Sequence, residues 1–419
     1  PAQGFLWAQG AGGSGEDVGN QCAISAGGEI YVVGQFSSTA RFGDTNLVSA
    51  GDTDLFLAKY SAAGQCLWVK QAGGVQADKG NAICISKTGE IYITGSFEGA
   101  ALFDGVAVSG AGLQLFVAKY DPAGAIIWVK NSVGGVGQSI AADHQGDIVV
   151  SGFQGAWFAE RRIYTAKYNS AGSILWESSY NKIFSSLEES EGARVAVAPN
   201  GDVFVAGTFS EGMTTNGVSV PSYGMNDMFL MKYNSAGVFR WIRTGGSYMP
   251  DAGHGLAVDD SGNAYVTGKF YRVASFGSTN ISTELQSNSN SDAFVAKYDS
   301  DGKLIWVSRP LSENYEECGY AICVDRQRNI YVTGLRGGSA MYFFKLDAEG
   351  NFVWDLTVSQ GRGRGIVLNP LGEAIITGNI TAGAWFDTVL LTNKGSSDMY
   401  LTKLSNQIPP VLLTQPMSQ

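Results

Sequence analysis

The sequence predicts an all-β fold: a seven-bladed β-propeller of four-stranded blades, closed by an N-terminal strand that completes the last blade. Three observations carry this expectation. Four short markers each recur seven times along the chain, the segments between them are strand-like and bounded by turns, and the chain starts and stops one strand out of phase with its own repeat. The 419 residues also exceed the roughly 250–300 over which one hydrophobic core usually grows, so several domains or a repeat are required.

The first marker is a glycine that opens each unit, at Gly19, Gly80, Gly137, Gly192, Gly253, Gly319 and Gly363. A second glycine follows fifteen residues later, at Gly34, Gly95, Gly152, Gly207, Gly268, Gly334 and Gly378, and ends a run such as Ile91-Tyr92-Ile93-Thr94. The third is a lysine in an aromatic–x–x–Lys–Tyr/Leu pattern, at Lys59, Lys119, Lys167, Lys232, Lys297, Lys345 and Lys403. The fourth is a tryptophan after a turn, at Trp7, Trp68, Trp128, Trp176, Trp241, Trp306 and Trp354.

Within a unit, strand a follows the opening glycine, as in Gly80 to Ile85, and a tight turn such as Lys87-Thr88-Gly89 leads to strand b. Strand c runs from Leu115 to Tyr120, and Asp121-Pro122-Ala123-Gly124 turns into strand d around Trp128. β-Branched and aromatic residues bounded by Gly, Asn, Asp and Ser clusters favour strands, and no stretch sustains a helical period. The chain begins with a d-type strand, Phe5 to Ala8, and its last unit stops at a c-type strand, Met399 to Leu404. Supplying the missing strand from the N-terminus pairs two edges that a linear array leaves open. The expected organisation is a propeller over residues 1–405 and a linker or tail over 406–419.

Composition narrows the partners. The formal net charge is −10, which disfavours nucleic acid and anionic membranes. No apolar run approaches the roughly 18 residues of a membrane-spanning helix, so this module is not expected to insert in a membrane. The two histidines, His144 and His254, leave little room for a histidine-rich metal site.

The copies Gly262 to Phe270 (GNAYVTGKF), Asp292 to Gly302 (DAFVAKYDSDG) and Leu304 to Val307 (LIWV) resemble bacterial β-propeller repeats of the SBBP type. The resemblance spans roughly residues 4–405 and is specific to the repeat, not to an activity. It implies a secreted or cell-surface protein of Bacteroidetes-like bacteria, with a signal peptide removed. Residues Ile408 to Pro416 resemble the lead-in to an immunoglobulin-like module, so further such modules are expected in a longer chain. The Gly-His and Trp-Asp signatures of WD repeats do not recur with the units.

The recurrent lysines and tryptophans read as structure. Opposite the lysines, at the start of strand b, stand Glu29, Glu90, Asp147, Asp202, Asn263, Asn329 and Glu373, and opposite-charge cross-strand pairs contribute about 0.2–1 kcal/mol each. One tryptophan per unit at one position suits packing. The five cysteines lack metal-ligand spacing and are expected as buried free thiols, with a Cys22–Cys84 bridge as the alternative.

Function is expected on the face that gathers the d–a and b–c loops. The b–c distances from glycine to lysine are shortest in units three and six. Those units stand about 154° apart in a seven-membered ring, and a shallow trough between them is one reading; repeat drift is the other. Candidate ligand-binding residues are Trp157, Trp385, Tyr248 and Tyr315, whose rings suit sugar faces, and His254. Asp17, Asp78, Asp251 and Glu317 precede strand-a glycines and are candidates for a Ca²⁺ site. The alternative is that each fixes its own loop. No nucleophile elbow, zinc motif or P-loop is present, so no catalytic residue is marked. The expected role is an exported recognition, adhesion or scaffold module for a surface protein or glycan; a carbohydrate-active enzyme or lectin-like sugar binder is the alternative.

Overall fold

A computed structural model of the chain describes residues 4–155, 161–183, 193–210, 212–283, 290–310 and 315–406. The described secondary structure is β-strand throughout. In the first unit, strands a to d are Asp17–Ile24, Ile30–Phe42, Thr45–Tyr60 and Cys66–Gly73, paired antiparallel in that order. The same a-b-c-d order recurs in six further four-stranded sets, with a-strands Lys79–Ile85, Gly135–Ala142, Arg194–Val197, Ala252–Val258, Glu317–Val324 and Gly361–Leu368. In the seventh set the fourth strand is N-terminal: Phe5–Gly13 pairs with Asp398–Leu404, placing Ala8 opposite Thr402. The d-strands of units seven and one then reach the next unit's b–c hairpin, pairing Gly12 with Arg41 and Ala72 with Phe103.

The hydrophobic core is divided among the seams between units. Strand b is apolar on both faces because alternate residues serve different seams. Tyr31 and Val33 pack with Ile91, Ile93 and Phe116 of unit two. Ile30 and Val32 pack with Ile375, Met399 and Leu401 of unit seven. Equivalent clusters fill the other five seams. Each a-strand contacts the a-strands of both neighbouring units, and that of unit seven contacts that of unit one.

The recurrent tryptophans form clasps across the seams. The c–d turn glycine of one unit has a positive φ, +87° at Gly124, and lies against the tryptophan of the preceding unit. A methyl group on Gly124 would stand 3.0 Å from the Trp68 ring. The indole N–H groups of Trp128, Trp176 and Trp241 donate to the turn carbonyls of Ser170, Ser235 and Ser300, at 3.2, 3.2 and 3.3 Å. The lysines join the same clasps. Lys119 Nζ lies 2.7 Å from Glu90 and 3.1 Å from the Ser170 carbonyl oxygen, with the Tyr92 ring beneath it. Lys59, Lys232 and Lys403 pair with Glu29, Asp202 and Glu373, and Lys167 with both Asp143 and Asp147. Lys297 and Lys345 differ, because their expected partners are the neutral Asn263 and Asn329, which turn back to Asp259 and Asp325. Burial lowers the pKa of both amines.

All five cysteines are free thiols, so Cys22 and Cys84 are not bridged. The sequence reading missed the b–c extensions. Strand b of units one and two runs on to Phe42 and Phe103, and short two-stranded hairpins occupy the b–c connections of units four, five and seven. In unit six, Arg336 and Ala340 face each other across a short turn instead.

Candidate functional site

Six of the seven a-strands carry a β-bulge one residue after the opening glycine. The register slips between Gly19 and Gln21, Gly80 and Ala82, Gly137 and Ser139, Gly253 and Gly255, Gly319 and Ala321, and Gly363 and Gly365. The residues skipped are Asn20, Asn81, Gln138, His254, Tyr320 and Arg364. A bulge re-aims its extra residue out of the ladder, and all six line one cavity of about 780 Å³. The strand-b ends Gln35, Ser96, Phe153, Lys269 and Leu335 also line it, so it opens toward the d–a and b–c loops. This is the face on which the sequence placed function.

The lining is polar and ordered by stitches between units. Asn20 Nδ2 donates to the Gly80 carbonyl at 3.0 Å, and Asn81 Nδ2 to the Gly137 carbonyl at 2.9 Å. Arg194 Nε donates to the His254 carbonyl at 2.7 Å, while its Nη1 donates to that of Gln138 at 2.8 Å, joining units three, four and five. The His254 and Tyr320 rings stand 5.5 Å apart, and Arg161 lies over the Phe153 ring at 4.6 Å. Burial, and then the nearby charge of Arg364, pulls the Arg194 guanidinium down to about 10. In a chain of net charge −10, this lining holds six cationic residues, Lys79, Arg161, Arg194, Lys269, Arg362 and Arg364, and two carboxylates, Glu98 and Glu316.

Of the candidates named from the sequence, His254 alone lies on this cavity, and it is 1% exposed. Tyr248, Tyr315 and Trp385 are each more than half exposed and stand outside the lining. Arg272 sits over the Tyr248 ring at 5.4 Å. Trp385 projects from a hairpin whose next residue, Phe386, is buried against Phe5. Trp157 lies outside the described residues.

The four acidic candidates are buried but do not meet at the axis; each sits at its own seam, behind the cavity wall. Asp17 accepts the Gly13 N–H at 2.8 Å, and Asp78 those of Gly74 and Glu98 at 2.6 and 3.3 Å. Asp251 accepts the N–H groups of Ser247 and of Tyr271, the latter at 2.7 Å. Glu317 pairs with Arg336 at 3.0 Å, and Arg336 continues to Asp355 at 2.9 Å. The carboxylates of Asp17, Asp78 and Asp251 therefore serve their loops. Burial pushes all three up to about 7, and each also feels a second acid across its seam: Asp398, Asp54 and Asp227. Among the described residues, no three His, Cys, Asp or Glu side chains converge as metal ligands.

The basic lining was missed because it does not repeat. After each opening glycine come Asn, Asn, Gln, Ala, His, Tyr and Arg. Variation directly after an invariant glycine was the available signal.

No family model matches the chain. A curated relative, an uncharacterized WD repeat-containing protein (L264) of Acanthamoeba polyphaga mimivirus, is 24% identical over 194 residues, 40% of this chain. That match spans 14% of the relative's own length. Among solved structures, the polysaccharide lyase Uly1 aligns with a TM-score of 0.51 at 11% identity, covering 93% of this chain and 90% of that one. The WD40 β-propeller domain of Doa1 aligns with a TM-score of 0.43 at 10% identity, covering 96% and 97% of the two chains. The fold is all-β and of the β-propeller type; at these identities the likeness speaks to fold alone.

Proposed function

We propose that the seven four-stranded units are the blades of a closed seven-bladed propeller, and that the chain is a recognition module taking its ligand in the axial cavity. The observation that carries this reading is the set of bulges. Six bulges aim six side chains of five polar or aromatic kinds into one space, whereas the surrounding strands repeat. Packing alone favours one residue type at an equivalent position, as the tryptophans illustrate. A cavity of about 780 Å³ falls in the range of small-ligand sites, about 300–1,000 Å³. The continuous cycle of a-strand contacts supports closure.

The SBBP-like repeats support an exported or cell-surface setting, with a glycan or surface protein as ligand. A second reading, sugar-active chemistry, is favoured by the presence of His254, Tyr320 and Arg194 around the same cavity. Formation of an unsaturated sugar product would distinguish it from binding alone.

A glycan array and polysaccharide pull-down, with and without Ca²⁺, tests the proposal. The wild-type module is expected to retain a specific glycan. Glu316→Trp, at the exposed mouth of the cavity, should abolish retention, and Trp385→Ala on the outer hairpin should preserve it. Retention unchanged by Glu316→Trp, or silence from the wild type, would overturn the cavity as the recognition site.

A further inference from the structure

The wall of the axial cavity changes character with depth, and on the premise that the cavity is the recognition site the change identifies a ligand class. At the level of the bulges the lining is polar. The Nδ2 groups of Asn20 and Asn81 are tied to the carbonyls of Gly80 and Gly137, so both amides are held in place. Gln21 beside them accepts the Ile83 N–H at 2.8 Å. Three residues after the opening glycine, five consecutive units present aliphatic side chains to the same space: Ile140, Val195, Leu256, Ile322 and Ile366. Leu256 lies opposite Val266, three residues below Lys269 at the mouth. At about 3.4 Å per residue, this aliphatic collar sits about 10 Å down. A methyl group on Gly255 would stand 3.1 Å from Ile322 Cγ2, so the side chain of unit six reaches the a-strand of unit five. Leu256 and Ile366 are only partly buried, whereas the equivalent Cys22 and Ile83 of units one and two are buried and outside the lining. Water against such a collar finds few hydrogen-bond partners, and the side chains facing it forgo dispersion contacts. An apolar group of a ligand restores those contacts.

We propose that the axial cavity binds a soluble glycoside with an apolar aglycone, the aglycone seated in the collar and the sugar held at the bulges. The two ends of the ligand are read by different physics. The fixed amides of Asn20 and Asn81 meet sugar hydroxyl groups at little ordering cost. The collar removes the aglycone from water and gains in proportion to the apolar area covered. A sugar alone leaves the collar uncovered. A hydrocarbon alone strips water from the amides and gives them nothing in return.

Calorimetric titration of the whole chain with methyl, butyl, hexyl and octyl β-glucoside, kept below micelle-forming concentrations, tests the assignment. A parallel galactoside series guards against a mismatched head group. Affinity should rise about two- to fourfold for each added methylene until the collar is filled. Methyl glucoside and hexanol, each carrying one end of the ligand, should both bind more weakly than hexyl glucoside. Leu256→Asn should weaken octyl binding about tenfold or more and leave methyl glucoside nearly unchanged. A general loss of stability does not produce that split. The unfolding midpoint checks folding, and Ile366→Thr takes the place of Leu256→Asn if that variant fails to fold. Glu316→Trp should abolish binding of the whole series. Affinity independent of chain length, yet lost in Glu316→Trp, would overturn the aglycone assignment and leave recognition in the cavity standing. A chain-length gradient that survives Glu316→Trp would put the tail outside the cavity and overturn both. No binding by either series would overturn the assignment, with the glycan array as the separate test of the cavity.

Discussion

Replacing Asp54 by asparagine should stabilise the protein at mildly alkaline pH and have little effect at acidic pH. Asp54 opens the inner half of strand c in unit one and faces Asp78 of unit two across their seam. A methyl group on Gly73 would lie 2.8 Å from both Asp54 Oδ1 and Asp78 Oδ2, which limits their separation to twice that distance. Two unit charges about 5.6 Å apart at an effective dielectric of about 20 repel by about 3 kcal/mol. Burial pushes Asp78 up to about 7 and raises Asp54 as well. The folded protein therefore holds protons that the unfolded chain releases at ordinary carboxylate pH. Where the folded state binds more protons, stability falls as pH rises, here from the ordinary carboxylate range up to about 7. Asp54 Oδ2 accepts from Ala50 N at 3.1 Å and Gln71 Nε2 at 2.6 Å, whereas Oδ1 has no hydrogen-bond partner among the described residues. Asparagine keeps the two acceptor bonds and turns an NH₂ group toward Asp78. The expected gain is about 1–3 kcal/mol near pH 8, shrinking to a few tenths near pH 5. Urea unfolding followed by tryptophan fluorescence at the two pH values reads it. A loss of stability at both, or a gain independent of pH, would refute the reasoning.

Other expectations concern the clasps and the outer surface. Gly124→Ala places a methyl at φ +87° and 3.0 Å from the Trp68 ring; denaturant unfolding should show a loss of about 1–3 kcal/mol. Lys119→Gln should cost no more than about 1 kcal/mol near neutral pH, because its Glu90 partner is partly exposed. The hydrogen bond from Lys119 holds Glu90 below its ordinary value, so the pair's contribution is present above the ordinary carboxylate pH and lost as pH falls through the lowered one. The variant's deficit should accordingly disappear in acid, as a stability titration reads. Trp385→Ala should change neither the unfolding midpoint nor glycan retention, since the ring lies outside the cavity.

The strands were legible because their markers answer to demands that every unit shares. The c–d turn needs a glycine at positive φ, the seam needs a flat ring above it, and strand b needs apolar residues on both faces. Lys59 and Trp68 recur for those reasons and were readable as structure. The cavity was not legible, because its residues do not follow the repeat. Asn20, His254 and Arg364 occupy one structural position with three chemistries, which in sequence looks like drift. The acids misled for the opposite reason: Asp17, Asp78 and Asp251 recur because three seams need the same loop bonds. Their partners Asp398, Asp54 and Asp227 lie five residues before a marker lysine, a spacing visible in the sequence.

The most direct test of the account is a crystal structure grown with a glycan that binds in solution. The account predicts sugar density in the axial cavity, against bulge residues such as Asn20, His254 and Tyr320. Sugar bound on the outer hairpins near Trp385, or on the face of the a–b turns, with the axial cavity unoccupied, would contradict it.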